Sequence, residues 1–271
     1  MPMIPTAATT RKPCPGHDGR PTLPVDSGGA VVDGLGEAAA ALLTPAHQFP
    51  IGVALDPTRR RQAIAWAAES GSILIEDDYD GEFRYDHQAV GAMQSLDPNR
   101  VVYAGTAAKC LVPGLRLGWL VLPSPLLDEV VEVKRTSGAF PSTLDQLTLA
   151  EFLASGAFDQ QVRRRRLAYR RRRDRLAEVL SDATPAVEIS GIAAGLHALV
   201  HLPGRDERDV VARAREHGLA LWGLGTFTEP GYEQGPALVI GYATPADHAY
   251  TATLARLSAT LDGASMSRAH S

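Results

Sequence analysis

Two short segments of the chain carry side chains that could act together in chemistry. Asp77 and Tyr79 follow an apolar run at residues 72–75, and Lys109 follows a second apolar run at residues 101–104. A lysine amine can form an imine with a carbonyl compound, an aspartate can keep a ring nitrogen protonated, and a tyrosine can donate a hydrogen bond to a phenolic oxygen. These residue types together indicate a site for an electrophilic, nitrogen-containing ring.

An anion site is predicted beside the lysine. Thr106 offers a hydroxyl three residues before Lys109, and Arg116 offers a rigid guanidinium fork that suits a phosphate group. Gly114 and Gly118 flank the arginine, and they would allow the backbone to approach a ligand closely. The segment therefore predicts that the ring carries a phosphate.

The acidic run at residues 76–78 has other interpretations when it is taken alone. It could be a loop that approaches a helix, a Mg²⁺ site, or the acidic pair of a response-regulator receiver, which also uses a threonine and a lysine. A receiver places those two residues on different strands, whereas Thr106 and Lys109 share one loop. The flanking motifs favour the ring-binding interpretation.

The elements that position these residues are predicted to form an open, largely parallel α/β sheet. Asp56 and Pro57 supply an N-cap and a first helical residue for a helix through about Ser70, and an Ala-rich segment from about Leu35 to Thr44 is also predicted to be helical. Ligands of such sheets gather at the carboxyl ends of strands, where Asp77 and Lys109 fall. The predicted strands are residues 72–75, 101–104 and 117–122.

The C-terminal half reads as helices followed by a smaller α/β domain. The predicted helices span residues 124–137, 142–155, 158–180 and 206–217, and a final helix opens at Thr244-Pro245. The predicted strands lie near residues 196–202, 219–222 and 237–242. The predicted organisation is an irregular tail (1–24), a large ligand-binding domain (25–140), connecting helices (141–183), a small domain (184–264) and a second tail (265–271).

Composition narrows the classes of function. The net charge of −4 argues against a dedicated nucleic-acid module, because neutralising phosphates would favour a strongly basic chain. Cys14 and Cys110 are too few for a disulfide framework, and no apolar run has the length of a membrane span or signal peptide. These features indicate a cytoplasmic protein with no membrane partner.

Several motifs in family order resemble the aminotransferase-like domain of the MocR subfamily of GntR-type transcription regulators. The most specific are "TPAHQFPIGV", "ILIEDDYDGEFRYD" and "VVYAGTAAKCLVPGLRLGWLVLP", and the similarity runs from about Val25 to Leu261. The resemblance implies a large domain of the fold-type-I class that binds pyridoxal 5'-phosphate (PLP), plus a smaller C-terminal domain. It also implies a small-molecule amine or amino-acid effector and a homodimer.

The resemblance assigns a role to each candidate residue. Lys109 matches the Schiff-base lysine, Asp77 the partner of the pyridine nitrogen, and Tyr79 the donor to the phenolic oxygen. Thr106 and Arg116 match the phosphate-binding positions. No metal ion is implied.

The sequence also departs from the family pattern. Residues 1–24 offer no counterpart to the winged-helix domain or to the first half of the large domain, so the resemblance implies an N-terminally truncated member without specific DNA binding. Ala107 and Ala108 replace the usual Phe-Ser before the lysine, and Phe49 replaces an asparagine of true aminotransferases. Val239 stands where those enzymes hold the substrate carboxylate with an arginine.

Four further features have both a functional and a structural interpretation. The arginine-rich segment at residues 163–173 could contact DNA, but a solvated helix between domains is favoured. His197 and His201 share a strand face like a metal pair, yet no third ligand is near and packing is favoured. Cys110 is favoured as a buried apolar residue over a redox group. For the loop residues His47 and Gln48, facing the cofactor and stabilising a turn remain equally open.

Three hypotheses about function follow. The first is a PLP-binding effector domain of a MocR-type regulator that has no DNA reader. The second is a PLP-dependent aminotransferase in which Lys109 carries the proton. The third is a remnant that binds no cofactor.

Overall fold

The chain folds into two compact units, each built around its own main sheet. The structure is a computed structural model that describes residues 8–10, 22–85, 90–138, 140–183, 187–229 and 234–262. One unit comprises Met1–Phe49 and Val53–Arg165, and the other comprises Pro50–Gly52 and Arg166–Ser271. Within the described residues, no helix combines the length and apolar character that a membrane span requires.

The first unit contains a five-stranded sheet with a parallel centre. Its strand order is β1-β4-β5-β6-β7, in which β4, β5 and β6 run parallel while β1 and β7 are antiparallel to their neighbours. The predicted largely parallel α/β sheet is therefore confirmed. The strands of this unit are β1 (Ala8–Thr10), β2 (Val25–Asp26), β3 (Gly29–Ala30), β4 (Ala38–Leu43), β5 (Ile73–Asp78), β6 (Val101–Thr106) and β7 (Gly118–Val121).

Helix α1 (Pro57–Ser70) connects β4 to β5 and covers one face of the sheet. The side chain of Asp56 accepts hydrogen bonds from the backbone N–H groups of Thr58 (2.7 Å) and Arg59 (3.4 Å), as the predicted N-cap requires. Gly71, at a φ of 69°, ends the helix in the left-handed conformation. Ala63 and Ala67 of α1 are fully buried in the core of this unit.

The Ala-rich segment that was predicted to be helical is strand β4, so that prediction is wrong. Ala41 and Leu43 are buried, and the strand pairs with β1 on one side and with β5 on the other. A strand inside a sheet shows a continuous apolar run, and its pairing overrides the helix propensity of alanine. Strand β1 itself lies within the predicted irregular tail, where Ala8–Thr10 supplies the edge partner of β4. Residues 1–7 and 11–21 of that tail lie outside the described residues.

Three helices follow the sheet close to their predicted positions. They are α2 (Leu127–Thr136), α3 (Thr143–Ala154) and α4 (Ala157–Ala183). The Ser142 side chain caps α3 by accepting a hydrogen bond from the N–H of Asp145. The boundary between the two units falls inside α4, between Arg165 and Arg166. The helices predicted as one connecting segment, 141–183, are therefore divided between the units.

The second unit contains a four-stranded antiparallel sheet, the C-terminal part of α4 and two further helices among its described residues. Its strand order is β10-β11-β9-β8, and helices α5 and α6 accompany it. The strands are β8 (Glu188–Ser190), β9 (Ala198–His201), β10 (Trp222–Gly223) and β11 (Ala237–Ile240), and the helices are α5 (Glu207–Glu216) and α6 (Tyr250–Asp262). This is the predicted smaller C-terminal α/β unit. The predicted tail at 265–271 lies outside the described residues.

Two boundaries of the second unit differ from their predictions. The strand predicted at 219–222 starts only at Trp222, because residue 219 still closes the end of α5 through a hydrogen bond to the carbonyl of Ala214. The final helix begins at Tyr250, after one 3-10 turn at Asp247–Ala249. The carboxylate of Asp247 pairs with Arg172 at 2.5 Å instead of capping a longer helix.

Candidate active site

The candidate site lies where β4, β5 and β6 end together. In the parallel register Leu43 pairs with Glu76, and Asp77 pairs with Ala104. The residues that leave these strands therefore share one edge of the sheet: His47 after β4, Tyr79 after β5 and Lys109 after β6. Ligands of open α/β sheets bind at this edge. The structure thus brings Asp77, Tyr79, Thr106 and Lys109 to a common edge.

Asp77 and Lys109 are two groups of this edge that remain available to a ligand. Neither the carboxylate nor the amine makes a hydrogen bond within the described part of the chain. Burial raises the pKa of Asp77 to about 6, the charges of Asp78 and Asp80 add to the rise, and the positive charge of Lys109 opposes it. The two side chains are therefore close enough to interact electrostatically, and both remain available to a ligand.

The other carboxylates of the acidic segment are all engaged by the protein. Glu76, Asp78 and Asp80 each have partners, and this separates their role from that of Asp77. Glu76 caps a 3-10 turn by accepting the N–H groups of Met93 (2.9 Å) and Gln94 (3.0 Å), Asp78 accepts from the Tyr103 hydroxyl (2.8 Å) and the Gly81 N–H (2.9 Å), and Asp80 pairs with His47 (2.9 Å).

The hydroxyl of Tyr79 faces the loop that follows β4. It donates a hydrogen bond of 3.1 Å to the carbonyl oxygen of His47 and lies 3.3 Å from Nδ1 of the same residue. Burial raises the pKa of Tyr79 well above its usual range, and the charges of Asp80 and Asp77 contribute to the rise. The phenol is thus a protonated donor at neutral pH.

The pair formed by His47 and Asp80 was not predicted from the sequence. Nδ1 of His47 lies 2.9 Å from Oδ2 of Asp80, and the two side chains are only 2% and 1% exposed. Their positions differ by 33 residues, so no local motif contains both. The sequence could have indicated only that the two residues lie near each other, because both follow strands that end at the same edge of the sheet.

The predicted phosphate-binding residues lie at the end of the β6–β7 pair. Thr106 pairs with Gly118, its hydroxyl oxygen accepts the N–H of Ala108 (3.1 Å), and the hydroxyl donates to the carbonyl of Leu117 (3.3 Å). These bonds hold the turn that leads to the lysine. A β-carbon on Gly118 would lie 2.9 Å from the carbonyl oxygen of Gly105, so glycine is needed for the two strands to approach.

Arg116 follows the 3-10 turn Pro113–Leu115 and precedes β7. Its backbone has a φ of 53°, the left-handed conformation that non-glycine residues rarely adopt, and its side chain is exposed. The β6–β7 register places it at the same end of the strand pair as Thr106.

The remaining candidate residues have partners or surroundings within their own units. His197 Nε2 lies 3.1 Å from the carbonyl oxygen of Pro50, and His201 Nε2 lies 2.7 Å from the Ser190 hydroxyl. Cys110 is 2% exposed. Val239, for which the sequence resemblance predicts the position of a carboxylate-binding arginine, is a buried residue of β11 paired with Leu199 and Trp222.

Comparisons with known proteins agree on one family. The family model for aminotransferase class I and II matches residues 33–232. The chain is 41% identical over 206 residues to the uncharacterized HTH-type transcriptional regulator YhdI of Bacillus subtilis, covering 73% of this chain and 43% of that protein. It is 33% identical over 206 residues to the HTH-type pyridoxine biosynthesis transcriptional regulator PdxR of Corynebacterium glutamicum, covering 76% and 45%. The chain thus spans less than half the length of these relatives.

Solved structures show the same fold. The chain resembles kynurenine aminotransferase of Pyrococcus horikoshii with a TM-score of 0.77 and 25% identity, covering 89% of this chain and 63% of that one. It resembles LysN, an alpha-aminoadipate aminotransferase of Thermus thermophilus, with a TM-score of 0.78 and 25% identity, covering 89% and 65%.

Proposed function

This chain belongs to the aminotransferase class I and II family, and from that premise we propose that it is the PLP-binding, effector-sensing domain of a MocR-type transcription regulator. The relatives that are named HTH-type transcriptional regulators support the regulatory assignment. The observation that carries the proposal is the pair of uncommitted groups, Asp77 and Lys109, at the carboxyl edge of the sheet.

The donor set at this edge fits PLP. The ring needs an anionic partner at its nitrogen, an amine at its aldehyde, a donor at its phenolic oxygen and an anion site for its phosphate. Asp77, Lys109 and Tyr79 would meet the first three needs, and Thr106 with Arg116 would meet the fourth. When bound, PLP acts as an electron sink for bonds at the carbon next to an amino nitrogen.

Asp77, Lys109 and Tyr79 each have a property that suits the proposed role. Asp77, with a pKa of about 6, is mostly ionised at pH 7 and can keep a ring nitrogen protonated. Lys109 bears the only lysine amine at this edge among the described residues, and it would bond the aldehyde carbon. The Tyr79 phenol stays protonated and so remains a donor.

One residue of the second unit, Val239, favours a sensor over an enzyme. Transamination requires the substrate carboxylate to be held so that the α-hydrogen bond stands perpendicular to the ring. Val239 offers no charge for that purpose and is packed inside β11. A sensor needs only different affinities in two states. From the resemblance to MocR-type regulators we also propose that the effector is a small-molecule amine or amino acid and that the protein is a cytoplasmic homodimer. We propose no specific DNA binding by this chain alone, because its net charge is acidic.

The experiment that tests the proposal uses the small number of lysines. The sequence holds three, Lys12, Lys109 and Lys134. Protein incubated with PLP should show a long-wavelength absorbance band, and borohydride reduction followed by peptide mapping should find the label on Lys109. Lys109→Ala should lose the band, whereas Lys134→Ala, at an exposed position on α2, should keep it. No band at saturating PLP, or a label only on Lys12 or Lys134, would contradict the proposal and favour the remnant hypothesis.

A further inference from the structure

The buried pair of His47 and Asp80 links two of the loops that leave the sheet at the candidate site. His47 lies in the loop after β4 and Asp80 in the turn after β5. Their side chains are 2% and 1% exposed and meet at 2.9 Å. A hydrogen bond of this kind, shielded from water, fixes both partners because breaking it leaves a polar group unsatisfied.

Tyr79 lies directly before Asp80 and contacts the same histidine. Its hydroxyl donates to the His47 carbonyl oxygen at 3.1 Å, and the two rings lie with their centroids 6.4 Å apart. A phenol has one proton to donate. While that proton is given to His47, the hydroxyl cannot donate to an oxygen of a bound ring. Ligand binding at Tyr79 therefore requires the proton to change acceptors.

The position of the competing acceptor depends on the buried pair. The carbonyl that holds the proton belongs to His47, and the imidazole of the same residue is anchored by Asp80. Asp80 also contributes a negative charge beside the phenol, which favours its protonated form. His47 and Asp80 thus influence both where the Tyr79 proton points and whether it is present.

We propose that His47 and Asp80 are positioning residues for Tyr79, which hold its hydroxyl proton on the His47 carbonyl in the free protein and present it to an oxyanion of the bound ring. The claim about the bound ring, which is the second half of the proposal, rests on the proposed function because it requires PLP to bind. The first half, the claim that the Tyr79 proton lies on the His47 carbonyl, concerns the free protein alone.

The first test needs no ligand. In protein labelled with ¹³C at the tyrosine ζ carbon, the Tyr79 signal is the one lost in Tyr79→Phe. Asp80→Asn should move this signal and lower the pH at which the phenol ionises, because a buried negative charge is removed. Asp78→Asn is the matched control. It removes the neighbouring charge that contributes least to the raised pKa of Tyr79, from a side chain that contacts Tyr103 and Gly81 rather than His47, so its effect on the signal should be smaller. Equal changes in both variants would overturn the proposal.

The second test is a double-mutant cycle on PLP affinity. Asp80→Asn should weaken binding about tenfold when Tyr79 is present and less than about threefold in the Tyr79→Phe background, because the effect passes through the phenol. Asp78→Asn should change affinity by the same factor in both backgrounds. Additive effects of Asp80→Asn and Tyr79→Phe would overturn the positioning role, because a direct charge effect or a general loss of structure would persist without the phenol.

A second variant and a stability measurement separate a positioning effect from a loss of folding. His47→Gln removes the imidazole that Asp80 anchors but keeps the backbone carbonyl that accepts the Tyr79 proton. Because the anchor is lost, this variant should show the same non-additivity with Tyr79→Phe, and it replaces Asp80→Asn if that variant is too unstable to study. Urea unfolding of each variant confirms that folded protein is compared. If the wild-type protein takes up no PLP, the proposed function and the second half of this inference both fail. The ¹³C signal then decides the first half alone.

Discussion

The hydroxyl of Tyr103 on β6 donates a hydrogen bond of 2.8 Å to Oδ2 of Asp78 on β5. The bond joins neighbouring parallel strands beside the candidate site, and it counteracts the effect of burial, which raises the pKa of Asp78. Removing it would leave a half-buried carboxylate with one fewer donor.

We therefore expect Tyr103→Phe to lower the free energy of unfolding by about 1–2 kcal/mol at pH 7. Urea denaturation measures the change. Ser137→Ala removes an exposed hydroxyl on the end of α2 and should change stability by less than about 0.5 kcal/mol. A loss for Tyr103→Phe no larger than that of this control would show that the bond contributes nothing net.

Asp77 should reduce stability at neutral pH. Its pKa is about 6 in the folded chain against an ordinary value of 3.8, so between these values the folded state binds more protons and stability falls as pH rises. The cost is complete above about pH 6 and absent below about pH 4. Asp77→Asn should therefore stabilise the protein at pH 7 by on the order of 1–2 kcal/mol, after allowance for solvent screening, and by nothing at about pH 4.

The same variant should separate stability from binding. If Asp77 is kept for a ligand, Asp77→Asn should gain stability yet lose PLP affinity, measured by the absorbance band. Asp128→Asn, an exposed substitution in the first turn of α2, serves as the control. Unchanged PLP affinity in Asp77→Asn would argue that the ring nitrogen is held elsewhere.

Common α-amino acids with a 2-oxo acid acceptor should give little or no steady-state transamination. The physical reason is the uncharged, buried Val239, which cannot orient a carboxylate, and orientation contributes several kcal/mol of barrier lowering, on the order of 7 or more in favourable cases. A coupled assay on PLP-loaded protein measures turnover, with Lys109→Ala as the blank. Robust turnover above that blank would promote the aminotransferase hypothesis.

DNA binding by this chain should be weak, independent of sequence and steeply reduced by salt. The chain is acidic overall, and several arginines of α4 are occupied within the protein: Arg172 contacts Asp247 and two backbone carbonyls, and Arg175 pairs with Glu178. Fluorescence anisotropy at increasing salt would measure the affinity and its slope. A footprint on one defined operator would be incompatible with this expectation.

The sequence was informative wherever local pattern and structure coincide. Asp56-Pro57 marked the start of α1 because capping depends on neighbouring residues. It was misleading at β4, where alanines that favour a helix in isolation pair with strands distant in sequence. The start of α6 was missed for a similar reason, since Arg172 engages Asp247 from 75 residues away.

The site shows the same division. Short apolar runs that end in polar residues located Asp77 and Lys109 at one edge, because parallel strands end together. Which carboxylate is free could not be deduced, since Glu76, Asp78 and Asp80 find their partners through the fold. The direction of the Tyr79 hydroxyl depends on a loop 32 residues earlier in the chain.

The left-handed backbone at Arg116 bears on how this chain has been selected. Holding a non-glycine residue at a φ of 53° costs on the order of 1 kcal/mol, which glycine would avoid. A lineage that had ceased to bind a phosphate would gain stability by exchanging the arginine, because glycine relieves this cost. Descendants of this gene that keep an arginine at 116 should therefore be those that still use the ligand, and glycine or asparagine there should mark the ones that have abandoned it.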